Sequence, residues 1–262
     1  GNSTANCFTR TGICYLLRLN DPPSRPAPHL DVTVKERLST GSLTTWTLHI
    51  GESFSDVPKG FWAYSFIETV LHSGITAGCG GDLYCPGTGV SRWQMAVFLA
   101  KALVGDNVPT SGTVPGMGDY DCTEGGTSVF ADVPPTDPGC PAIHYIAAQG
   151  VTAGCGRGNY CPQSLVNRWQ MAVFLTKALV GDAFPISGTV PGMGDYDCTE
   201  GGTSVFGDVP PTDPACPHIH YVASQQITVG CGGGNYCPST TLARDQMAVF
   251  LTKAFHLHLY GP

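Results

Sequence analysis

Three arginines stand 76 residues apart, at Arg92, Arg168 and Arg244. The first two open the phrase R-W-Q-M-A-V-F-L, and the third opens R-D-Q-M-A-V-F-L. A guanidinium is a planar five-donor fork that suits carboxylates, so the repeated placement suggests an acidic partner. Each arginine falls in the first turn of a predicted helix, where the helix dipole favours anions and a cation gains nothing. The partner is either internal, an aspartate of the F-x-D-V-P phrase (Asp56, Asp132 or Asp208), or an external acid. The residues alone leave both open. Trp93 and Trp169 directly follow the first two arginines, and Trp62 stands in the first predicted helix. An indole there suits a sugar ring or a neighbouring subunit, and equally suits covering the local core.

Other side chains offer less. G-D-Y-D-C-T-E at 118–124 and 194–200 brings Asp119, Asp121, Asp195 and Asp197 forward as weak calcium candidates, without the regular ligand spacing of an EF-hand. A solvated, disulfide-held turn explains the same letters. His144 and His220, with the pairs His218/His220 and His256/His258, are too few and too closely spaced to define a metal site, and none is expected. No G-x-S-x-G, H-E-x-x-H or P-loop occurs, so neither an enzyme nor a cofactor is expected.

The twelve cysteines pair most simply with their neighbours. Three pairs share a C-x5-C spacing: Cys79–Cys85, Cys155–Cys161 and Cys231–Cys237. Cys122–Cys140 and Cys198–Cys216 would tie an insert to the unit after it, and Cys7–Cys14 would flank a turn. Zinc ribbons use tighter spacings, so disulfides in an oxidising compartment are the expectation.

A net charge of −7 argues against nucleic acid, whose phosphates need a basic footprint. No run of apolar residues is long enough for a membrane span. The sequence opens on Gly1, as it would after removal of a signal peptide, and the cysteines agree with secretion or a place on the cell surface.

The elements that position these residues come in three copies. Each begins with F-x-D-V-P, passes through a glycine-rich loop (G-I-T-A-G-C-G in the first copy) and closes on the arginine phrase. Each reads as helix, loop, helix. In the first copy an apolar stripe predicts a helix over 62–72, stopped by Gly74. Ser91-x-x-Gln94 and Asn167-x-x-Gln170 are capping boxes for the second helix, whereas Ala243 lacks a capping side chain. Met95, Phe98, Leu99, Ala102 and Leu103 lie on one helical face, and the same set recurs twice. One such unit cannot bury that face alone, and three can share a core. The boundaries read as an N-terminal β-hairpin arm over 1–50, repeat 1 over 51–104, an insert with repeat 2 over 105–180, and an insert with repeat 3 and a tail over 181–262. Alternation at 31–38 and 44–50 predicts the hairpin, and alternation at 255–260 suggests a further strand.

The ordered set F-x-D-V-P, W-A, G-I-T-x-G, Y-x-P and V-x-R-x-Q resembles the S-layer homology repeat over about 54–257. The resemblance implies a mainly α fold: three helix-loop-helix repeats in a pseudo-threefold prism, here disulfide-stapled and preceded by a small β segment. It also implies grooves between repeats that bind anionic, often pyruvylated, cell-wall polysaccharide. Arg92, Arg168 and Arg244 take the family's sugar-contacting arginine position, and Trp62 its first-helix tryptophan. The chain is nearly all repeat, so the leading expectation is a non-enzymatic extracellular protein that assembles with copies of itself into a surface layer or filament. The alternative is a wall anchor that holds polysaccharide with the three arginines.

Overall fold

The computed structural model describes residues 15–20, 30–37, 41, 43–50 and 52–260. The pairing expected for Cys7 with Cys14 lies outside the described residues. The described part is mainly α, with six helices and three small antiparallel sheets.

Strands β1 (Tyr15–Asn20), β2 (Leu30–Arg37) and β3 (Leu43–Ile50) form one antiparallel sheet in the order β1-β2-β3. The alternating stretches at 31–38 and 44–50 correspond to β2 and β3. Strand β1 is an addition that sequence alternation did not reveal, because Y-L-L-R-L-N is mostly one apolar run.

Three helix pairs follow. They are α1 (Tyr64–His72) with α2 (Arg92–Val104), α3 (Cys140–Ala148) with α4 (Arg168–Val180), and α5 (Cys216–Ser224) with α6 (Arg244–Ala254). Helix α1 starts two residues later than the stripe suggested, so Trp62 sits in the turn before it. Ser91 and Asn167 make full capping boxes with Gln94 and Gln170, and Ala243 makes no side-chain cap. The helices meet across units: α2 packs on α3, α4 on α5, and α6 on α1.

Backbone hydrogen bonds run in the same cyclic order. Val166 N–H donates to Val90 O at 2.8 Å, Leu242 N–H to Val166 O at 2.8 Å, and Val90 N–H to Leu242 O at 2.9 Å. The unpaired N–H groups at the start of each second helix are satisfied by the neighbouring loop. Arg92 N–H donates to Ser164 O, Arg168 N–H to Thr240 O, and Arg244 N–H to Thr88 O.

F-x-D-V-P holds the glycine-rich loop. Asp132 accepts the backbone N–H groups of Tyr160 and Cys161, both at 2.7 Å, and Asp56 and Asp208 repeat the arrangement. Those cysteines adopt the left-handed conformation, with φ near 60° at Cys161, and the paired bonds fix it there. Gly154 must be glycine. Its φ is 89°, and a side chain would press within 2.9 Å of the Phe130 ring. Among the described residues, five bridges close the loops and inserts: Cys79–Cys85, Cys155–Cys161, Cys231–Cys237, Cys122–Cys140 and Cys198–Cys216.

Each insert is a hairpin, β4 (Ser111–Val114) with β5 (Gly118–Asp121) and β6 (Ser187–Val190) with β7 (Gly194–Asp197). A buried imidazole joins each to its helix. His144 Nδ1 is 2.8 Å from Cys140 O, and its Nε2 accepts Val129 N–H at 3.2 Å. Only the neutral ring with its proton on Nδ1 satisfies both. His220 repeats this with Cys216 and Val205, and Tyr120 and Tyr196 stack on the two rings. Where unit 1 has Glu68, a buried carboxylate accepts the Ser53 N–H instead. One position thus pins the same backbone amide in all three units with different chemistry.

Burial pushes the pKa values of His144 and His220 down against the opposing pull of their carbonyl contacts, and burial beside Lys177 pushes that of His218 to about 4. The unfolded chain therefore binds protons at a higher pH than the folded one. Stability is full above about pH 6.5 and declines as the pH falls through the window between the unfolded and folded values. Urea midpoints at pH 7.5 and pH 5 should differ, with the lower at pH 5. A flat profile across that range would remove these imidazoles as stabilising groups.

The tail does not form the strand expected at 255–260. The chain turns at Phe255–His256, with His256 at φ 50°, and then runs back over α1. Tyr260 N–H donates to Thr69 Oγ1 at 2.8 Å, and its ring stacks on His72 at 4.0 Å. Phe255 and Leu257 pack on the body, but the alternation breaks at Leu259, which is exposed, and at Tyr260, which is packed.

Candidate ligand grooves between units

The three arginines are buried; Arg244 is only 1% exposed. Each reaches across a unit junction. Arg92 Nε donates to Tyr160 O, Arg168 Nε to Tyr236 O and Arg244 Nε to Tyr84 O, all at 2.8 Å. Each guanidinium lies over two rings, those of Tyr160 and Phe174 for Arg92. The same tyrosine returns its hydroxyl to the arginine's own carbonyl, as Tyr160 Oη does to Arg92 O at 2.8 Å. Among the described residues no carboxylate pairs directly with these cations. The aspartates of F-x-D-V-P instead bind the loop backbone and act on the arginines from a distance. Burial lowers the arginine pKa values, and the nearby tyrosine and aspartate push back.

Past Arg92 and Arg168 the surface dips. The larger groove, of about 930 Å³, is lined by Arg92, Thr152, Trp169, Gln170, Phe174 and Lys177, with Met117 of the first insert on its rim. A groove of about 310 Å³ repeats it one unit on, with Arg168, Thr228, Gln246, Phe250, Lys253 and Trp62. The structure therefore brings Arg92 and Trp169 to one groove, and Arg168 and Trp62 to the next. Trp93 lines neither. Its indole N–H donates to Asp137 at 2.7 Å.

The two grooves differ in their polar atoms. Arg92 Nη2 reaches Thr152 Oγ1 at 3.5 Å, but Arg168 Nη2 and Gln246 Oε1 are buried with no partner among the described residues. Lys177 pairs with Asp182, whereas among the described residues Lys253 reaches the Gln226 carbonyl and no carboxylate. The smaller groove thus holds a cationic pair and an unused donor and acceptor. Asp245 stands at its edge. Burial raises its pKa, and hydrogen bonds from Gln246 N–H and the Trp62 side chain act the other way.

The Gln and Lys positions were missed in the sequence. They were visible there: Gln94/Lys101, Gln170/Lys177 and Gln246/Lys253 are each two helical turns apart and so share a face. The carboxylates of the inserts are engaged locally. Asp119 accepts the Thr113 hydroxyl and Asp121 that of Thr123, with Asp195 and Asp197 matching them. Cys122, Cys140 and His144 converge, as do Cys198, Cys216 and His220, but both sulfur pairs are bridged and offer no thiolate.

Residues 129–172, from the first insert's end into α4, match the family model described as the S-layer homology domain. Curated relatives include S-layer protein EA1 of Bacillus anthracis and an S-layer protein of Bacillus licheniformis. Each is 29% identical over 131 residues, which cover 49% of this chain. The match spans only 13% of either relative's length. No described helix is long and apolar enough to cross a membrane.

Proposed function

We propose that this chain is a non-enzymatic structural protein of the cell exterior, a subunit that assembles with copies of itself into a surface layer or extracellular filament. Its S-layer homology sequence and S-layer relatives support a surface-layer-associated role. The three units are read as a pseudo-threefold prism, which the cyclic Val90–Val166–Leu242 bonding supports.

The observation that carries the assembly reading is the sheet at 15–50. Its register aligns Leu17 with Val34 and Trp46, and Leu19 with Val32 and Leu48. Opposed residues share a face, so six apolar positions line one side while Arg18, Thr33 and Thr47 line the other. Strands β1 and β3 are the edges of the sheet. A three-stranded sheet needs its apolar face covered to persist in water, and a neighbouring copy would cover it. Electron microscopy of the unreduced protein should show ordered sheets or filaments, and Val34→Glu should disperse them while the helical signal persists. Single particles at high concentration would refute the reading.

A second reading, a wall anchor, is favoured by the unpartnered Arg168 Nη2 and Gln246 Oε1 beside Lys253. Co-sedimentation with isolated cell walls, weakened several-fold by Lys253→Ala, would support it. Equal pelleting of both proteins would count against it.

A further inference from the structure

The units differ by one methyl group at a position that decides where a tryptophan goes. Trp93 lies flat on Gly139, the residue before α3, with its N–H on Asp137. A Cβ at Gly139 would come within 2.6 Å of the indole Cε2, so only glycine admits that seat. The equivalent residue before α5 is Ala215, which is buried and carries that Cβ. Asp213 is oriented as Asp137 is, each accepting the N–H of the residue two places on at 2.7 Å. Yet no bond joins it to Trp169. That indole has no hydrogen-bond partner among the described residues, is 38% exposed and lines the larger groove.

We propose that Ala215 is a specificity-determining residue: its methyl denies Trp169 the seat that Gly139 gives Trp93, and turns the indole into the larger groove as a stacking wall for a pyranose ring. The ligand class follows from what surrounds the indole. Gln149, Gln170 and Thr152 offer neutral donors and acceptors, and Arg92 offers positive charge beside the Lys177–Asp182 pair. An aromatic face ringed by such groups suits the C–H face and hydroxyl edge of a sugar. Trp93, folded onto Gly139, takes no part. The inference rests on the wall-anchor reading for its ligand, but not for its steric device.

The test uses the full, disulfide-intact chain labelled with 5-fluorotryptophan. Fluorine resonances are assigned by single Trp→Phe changes, and their broadening by a soluble paramagnetic gadolinium chelate reports solvent access. Ala215→Gly reproduces the natural Gly139 arrangement, so folding is expected to survive, and its circular dichroism should match the parent. Chelate broadening at Trp169 should fall to the level of Trp93. If it is unchanged, the steric device is wrong. N-acetylglucosamine, N-acetylmannosamine and glucuronate are then added in turn. At least one should move the Trp169 resonance and leave Trp93 still, with the response reduced several-fold in Ala215→Gly. Equal responses at both tryptophans, or none at either, overturn the stacking role. Wall pelleting that persists without a Trp169 response would leave the anchor reading standing and sink this one.

Discussion

Replacing Arg244 with alanine should cost about 3–5 kcal/mol, because it removes a large buried side chain and strands a buried carbonyl at once. Arg244 is the most buried of the three arginines and joins unit 3 back to unit 1. Its Nε–H is given to Tyr84 O, its plane lies over Tyr84 and Phe98, and its Nη2 reaches Thr76. The alanine variant loses both ring contacts and leaves Tyr84 O short of a donor inside the core. Arg244→Lys keeps the charge but has no donor at the Nε position and no plane to stack, so it should recover less than half of the loss. Urea unfolding of the oxidised proteins measures both. A loss below about 1 kcal/mol for the alanine variant would mean that the junction is held by α1–α6 packing alone.

The second large effect is expected at the insert bridge. Changing Cys122 and Cys140 together to serine frees a loop closed over a sequence separation of 18. Chain entropy alone puts this near 3 kcal/mol, against about 2 kcal/mol for the C-x5-C bridges with their separation of 6. Loop length therefore favours the insert bridge. Its surroundings add to this, since the Cys140 sulfur lies 3.5 Å from His144 Nδ1, beside the imidazole that pins Val129 N–H. Loss of the bridge should loosen the hairpin and raise amide exchange at Gly118–Asp121 well before the helices. Equal losses for Cys122/Cys140 and Cys155/Cys161 pairs would show that loop length is not what matters.

Much of this was legible in the residues. Helix pairs, their capping boxes and the Met–Phe–Leu face follow from local spacing, because a capping box spans four residues and this helical stripe nine. What spacing hides is the partner across a junction. The arginines looked like seekers of a carboxylate, and the structure gives each a peptide carbonyl and two ring faces contributed by another unit. That choice depends on closure of the three units, which no short window encodes. The same holds for Trp169. Its letters match those of Trp93, and only Ala215 in place of Gly139, far along the chain, separates a seated indole from an exposed one. The tail is a third case: its alternating letters form no strand, because the chain turns at Phe255–His256 and its end is held by Tyr260 on His72.

The cyclic closure also sets an order of events. Arg92 and Arg168 reach partners 68 residues away, but Arg244 must find Tyr84 across 160 residues. Long-range contacts of that kind form late, because the chain surrenders loop entropy before the contact rewards it. A chain emerging N-terminus first therefore holds unit 1 with one open flank until α6 has been delivered. During that interval the Tyr84 surface is available to the arginine helix of any other nascent copy. Domain-swapped oligomers are the natural error of such a topology, and their yield should rise with the concentration of unfinished chains rather than of finished protein.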